Sequence, residues 1–155
     1  MTTLKSYFMK LIGAQPGKDI KDFPEVLRFL NHIDSINWGG CGISALAVHN
    51  WLKRYDEKSK IVFVYNDSEE FETNKTALQE RNKVIDAPNH AVLYYKRRYY
   101  DSHGLYSMVG KKHLCLFVSK DVATECIKDA NNWNPSFNRK KNIPLIKKSL
   151  NIKLV

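Results

Sequence analysis

The chain has 155 residues, 43% of them apolar and 26% charged, with a net charge of +9. This length and balance describe one folded domain, 1–155, with enough residues to bury a core. No apolar run approaches the roughly 20 residues that span a bilayer. The three cysteines (Cys41, Cys115 and Cys126) include no Cys-x-x-Cys pair. An odd number without such pairs argues against a disulfide framework or a structural zinc site; no metal and no cofactor are expected.

In chain order, "MTTLKSYFMKLIGAQPG" holds too short an apolar stretch for a secretion signal. Cytoplasmic synthesis with reduced thiols is the default expectation. "DFPEVLRFLNHI" reads as a helix capped by Asp22, with Pro24 in its first turn and Val26, Leu27, Leu30 and Ile33 on one face. After the polar link "DSIN" comes "NWGGCGISALAVHNWL". Here a helix from about Cys41 to Lys53 is apolar on most sides, the pattern of a central, buried helix. "KIVFVYN" is a strand, and "DSEEFETNKTALQERN" is polar with helical propensity. "NHAVLYYKRRYYDSHG" reads as a β-hairpin with a basic turn that lacks the Asn-Gly signal. "HLCLFV" is a further strand, and "SKDVATECIKDAN" a helix with Val122, Ala123, Cys126 and Ile127 inward. The tail "IPLIKKSLNIKLV" adds a short helix or an edge strand, with Leu145 and Ile146 docked if it is helical. Helices first and strands afterwards predict an α+β fold.

Charge is concentrated at the end. No acidic residue follows Asp129, and residues 130–155 carry Arg139, Lys140, Lys141, Lys147, Lys148 and Lys153. Such a segment is either a solvated surface or a handle for an anionic partner.

The hairpin brings titratable groups together. A symmetric turn at Lys96-Arg97 pairs Val92 with Asp101 and His90 with His103, so His90 and Asp101 share a face as diagonal neighbours. Their backbones are then roughly 7–8 Å apart, within reach of an imidazole and a carboxylate. Asp101 has a plainer reading too: ending a strand and capping a turn with Ser102 and Gly104. Cys41 stands where a helix N-terminus lowers a thiol pKa and offers free N–H groups as an oxyanion hole. Gly39, Gly40 and Gly42, without Cβ atoms, would clear a path for a substrate carbonyl to the sulfur. In this assembly Cys41 is the nucleophile, His90 the base and Asp101 the group that orients it. Asn37 is the nearest side-chain amide for the oxyanion. Trp38 is either an aromatic wall of the cleft or a core residue, and His103 a competing base or a supporting partner of His90. His32, His49 and His113 read as ordinary helix or strand residues.

A Gly-Gly-Cys-Gly turn opening a buried helix, then a strand beginning with His and a next strand carrying Asp before Gly, resembles the papain-like cysteine peptidase superfamily. The likeness spans roughly residues 37–104, on "GGCG", "NHAVLYY" and "YYDSHG". It implies a papain-like α+β fold, in which the helix carrying the nucleophilic cysteine packs on an antiparallel sheet carrying His and Asp. It further implies a cysteine-dependent hydrolase of peptide or amide bonds that works through a thioester. Glutamine deamidase and transglutaminase-like acyl transferase are alternatives within the same group, and a non-catalytic module on the same fold is another. The chain departs from papain six residues before the cysteine, where Ser35 stands in place of glutamine. Small size and a basic tail would suit a phage or bacterial enzyme acting on cell wall, or an effector acting on a host glutamine.

Overall fold

The structure, a computed structural model, describes residues 22–107 and 114–155. The N-terminal stretch weighed above as a secretion signal and His113 lie outside the described residues. Helix α1 (Phe23–Asn31) begins where the sequence predicts: Asp22 accepts the Glu25 N–H at 3.4 Å, and Pro24 occupies the first turn. It buries Val26, Leu27, Phe29 and Leu30. Helix α2 (Cys41–Lys53) is buried at eleven of its thirteen positions. Its composition requires that, since an apolar residue on every side of a helix needs neighbours on every side.

Those neighbours are a sheet and three helices. Strands β1 (Lys60–Val64), β2 (His90–Tyr95), β3 (Arg98–Asp101), β4 (Gly104–Leu105) and β5 (Cys115–Val118) form one antiparallel sheet in the order β4-β3-β2-β1-β5. Helix α2 lies against β1, β2 and β3 and is flanked by α1, by α4 (Lys120–Lys128) and by α5 (Arg139–Leu150). The polar helix α3 (Ser68–Arg81), capped by Asp67, connects β1 to the loop before β2. The fold is α+β.

Period two divides the sheet between two packing clusters. Ala91, Leu93 and Tyr95 join Ile61 and Phe63 in the main core with α2, while Val92 joins Val62 and Val64 in a second cluster beside Tyr94 and Tyr99. Buried Asn74 on α3 fixes the loop leading into β2: its Oδ1 accepts the Ile85 and Asp86 N–H groups at 2.8 and 3.0 Å.

The tail differs in part from expectation. It is helical from Arg139 rather than from Ile143, and it docks through Asn142, Ile146 and Leu150. This i, i+4, i+8 stripe leaves Leu145 a third of a turn away and 42% exposed, so only Ile146 of the predicted pair is buried.

Candidate active site

The β2–β3 turn sets the geometry. Lys96 and Arg97 both have positive φ, 49° and 64°. This left-handed pair is the backbone of a two-residue hairpin loop, reached here without Asn or Gly. The register is Leu93 with Tyr100, Tyr94 with Tyr99 and Tyr95 with Arg98, as the symmetric turn predicts. His90 Nε2 and Asp101 Oδ2 consequently meet at 3.0 Å, with the two side chains 17% and 10% exposed.

Opposing influences act on the imidazole. Burial lowers the His90 pKa; hydrogen bonds to Asp101 and to Cys41, and the negative charge both can carry, raise it. The raising influences prevail and the pKa stands at about 9. Because Nε2 is engaged by Asp101, Nδ1 is the ring atom left for Cys41. Burial also raises the Asp101 pKa, but its bonds to His90 and to the His103 backbone N–H outweigh that and lower it. Tyr106 packs on the His90 ring with centroids 5.1 Å apart.

Cys41 is the first residue of α2, after Gly40 at the cap position, and is 5% exposed. Gly40 provides no side-chain cap, and the N–H groups of the first turn have no acceptor within the helix. Burial and nearby Asp129 and Asp86 push Cys126 up to about 12, and burial raises Cys115.

The glycines serve a purpose other than the one expected. A Cβ on Gly39, where φ is +104°, would collide with the Asn134 carbonyl. One on Gly40 would stand 2.6 Å from the Phe137 ring, and one on Gly42 2.7 Å from the Trp133 ring. The space is filled by the chain's own 133–137 segment rather than held open for a substrate. Trp133 and Phe137 are buried, and the Trp133 indole donates to the Cys126 carbonyl at 3.1 Å. Sequence reasoning missed both rings; three glycines around one turn were the signal that something large packs there.

Other expected site residues stand as follows. Asn37 Nδ2 donates to Ser102 Oγ at 2.5 Å, and Ser102 in turn donates to Asn31 Oδ1 at 3.5 Å. The Asn37 amide thus ties the turn before Cys41 to the residue after Asp101; the sequence marks Ser102 only as a helper of the Asp101 turn and does not single out Asn31. Trp38 is 67% exposed, which removes it from the core. His103 does not face His90. Strand β3 ends at Asp101, the chain reverses through Ser102-His103, and Asp101 pairs with Gly104 on β4. The exposed His103 contributes its backbone N–H, which Asp101 Oδ1 accepts at 2.8 Å. Asp101 therefore caps this turn with one oxygen and holds His90 with the other. His90 pairs across the sheet with Val64 on β1.

The remaining described histidines lie elsewhere: His49 Nδ1 bonds Ser59 Oγ at 2.8 Å, and His32 Nδ1 bonds the Arg28 carbonyl at 2.8 Å. Among the described residues no three His, Cys, Asp or Glu side chains gather in a metal-binding group, and no helix is long and apolar enough to cross a membrane. Comparison with known proteins gives no match to a family model, to a curated protein or to a solved structure.

Proposed function

We propose that this chain is a cysteine-dependent hydrolase of papain-like architecture, cleaving peptide or amide bonds through Cys41, His90 and Asp101. The observation that carries the reading is the single imidazole shared by a carboxylate on one side and a thiol at a helix start on the other. This is the arrangement that a nucleophilic thiol requires: a base within its reach, oriented in turn by a third group.

In the proposed reaction the Cys41 thiolate attacks the carbonyl carbon, and the oxyanion that forms is stabilised by the free N–H groups of the α2 start. The C–N bond breaks as the His90 imidazolium gives its proton to the departing amine. The acyl group remains on sulfur as a thioester. His90 then takes a proton from water, the hydroxide displaces the thiolate, and the carboxylic acid leaves. Asp101 keeps the ring oriented and favours its charged form throughout. Deamidation and acyl transfer pass through the same thioester and differ in the departing amine or in the acceptor.

A small alkylating probe tests this reading, with the other cysteines as internal references. Cys41 should be labelled at neutral pH, faster than either of the other two thiols. Cys126 and Cys115, both raised, should stay unlabelled. Peptide mapping locates the adduct, and Cys41→Ser should remove both labelling and turnover. Labelling of Cys41 no faster than that of Cys126 or Cys115 would reject the reading.

A further inference from the structure

We propose that the exposed face of α5 is a docking groove for an acidic peptide segment that carries a central apolar residue. The groove has a volume of about 670 Å³ and is lined by Arg139, Lys140, Ile143, Pro144, Lys147, Lys148 and Val155. Arg139 is committed to the fold, since its guanidinium donates to the Ile127 carbonyl at 2.5 Å. Lys140, Lys147 and Lys148 are exposed and have no ion pair among the described residues. No acidic residue lies anywhere in 130–155 to neutralise them.

The order of groups along the helix specifies the ligand. Lys140 and Lys148 are eight residues apart, a rise of roughly 12 Å at 1.5 Å per residue. Between them Ile143 and Pro144 form an apolar floor. An extended peptide covers that distance in about four residues and turns alternate side chains to one side. The fitting sequence is Glu-x-Leu-x-Glu or its Asp equivalent, with carboxylates on the lysines and the leucine on the floor. The groove presents no aromatic ring on which a nucleic-acid base would stack, and its apolar floor seats a side chain rather than a phosphate. The apolar stripe of α5 faces inward through Ile146 and Leu150, which argues against insertion into a bilayer. This inference is independent of the hydrolase reading.

The test is fluorescence anisotropy with the full chain and a labelled peptide carrying Glu-x-Leu-x-Glu. Binding should weaken at least about tenfold in the triple variant K140Q/K147Q/K148Q and comparably at high salt, because exposed charges are screened within about 10 Å. A peptide with Leu→Ser should bind several-fold more weakly. Thermal melts of the triple variant should match wild type, since all three side chains are exposed. Three results would overturn the proposal: equal binding by the triple variant, equal binding by the serine peptide, or binding of single-stranded DNA or phosphatidylglycerol vesicles in preference to the peptide.

Discussion

His90 is placed to be charged at neutral pH, and its two partners share responsibility for that. Removing either should lower its pKa from about 9, because both raise it. NMR titration of the ring should show the fall in Asp101→Asn and again in Cys41→Ser; an unmoved titration in both would separate His90 from the site. In the hydrolase reading the same proton is the one given to the leaving amine, so activity should decline as pH rises through about 9, and Asp101→Asn should bring that decline to lower pH. Stability follows the same sign. The folded pKa lies above the ordinary 6.5, so the contribution from His90 is complete below 6.5 and is lost as pH climbs to about 9. Asp101, with its pKa lowered, contributes in the opposite sense, and its share is lost only in acid. Urea melts of wild type and His90→Gln, compared at pH 6 and pH 9.5, should differ most at the lower pH.

At the level of elements, the hairpin was legible because its geometry is arithmetic. Once the turn is centred on Lys96-Arg97, period two assigns every side chain in β2 and β3 to a face, whatever the turn residues are. The chemistry of that turn was not legible, since nothing local marks Lys and Arg for left-handed backbone. They hold it at a cost, a left-handed conformation being roughly 1–2 kcal/mol unfavourable per ordinary residue. Replacing Lys96-Arg97 by Asn-Gly should therefore raise stability by about 1 kcal/mol, with a higher melting temperature and an unchanged register. A drop in melting temperature would show that the two side chains matter more than their backbone. The two-residue overreach at the other end of β3 has a similar origin. "DSHG" fits the continuation of a strand as well as a turn capped by its own Asp, and the capped turn, with the His103 N–H on Asp101, removes His103 from the face of His90.

Across the whole molecule, local patterns found the helices and strands, while contacts between distant segments escaped them. The α2 boundaries, the Asp22 cap and the inward face of α4 follow from spacing within a dozen residues. Trp133 and Phe137 meet the glycine turn from about 90 residues away, and no periodicity encodes that meeting. Gly42→Ala should accordingly cost about 1–3 kcal/mol by overpacking, and a second change, Trp133→Leu, should offset part of it. Additive losses in the double variant, measured by denaturant unfolding, would mean that the two positions do not share this contact. The same docking has a consequence in time. During synthesis the thiol, the imidazole and the carboxylate all emerge well before residue 133, yet the turn that holds the thiol has no wall until 133–137 arrive. A nascent chain carries these three groups for that interval without the packing that fixes them, and the candidate site becomes whole only when the last seventh of the polypeptide has closed over it.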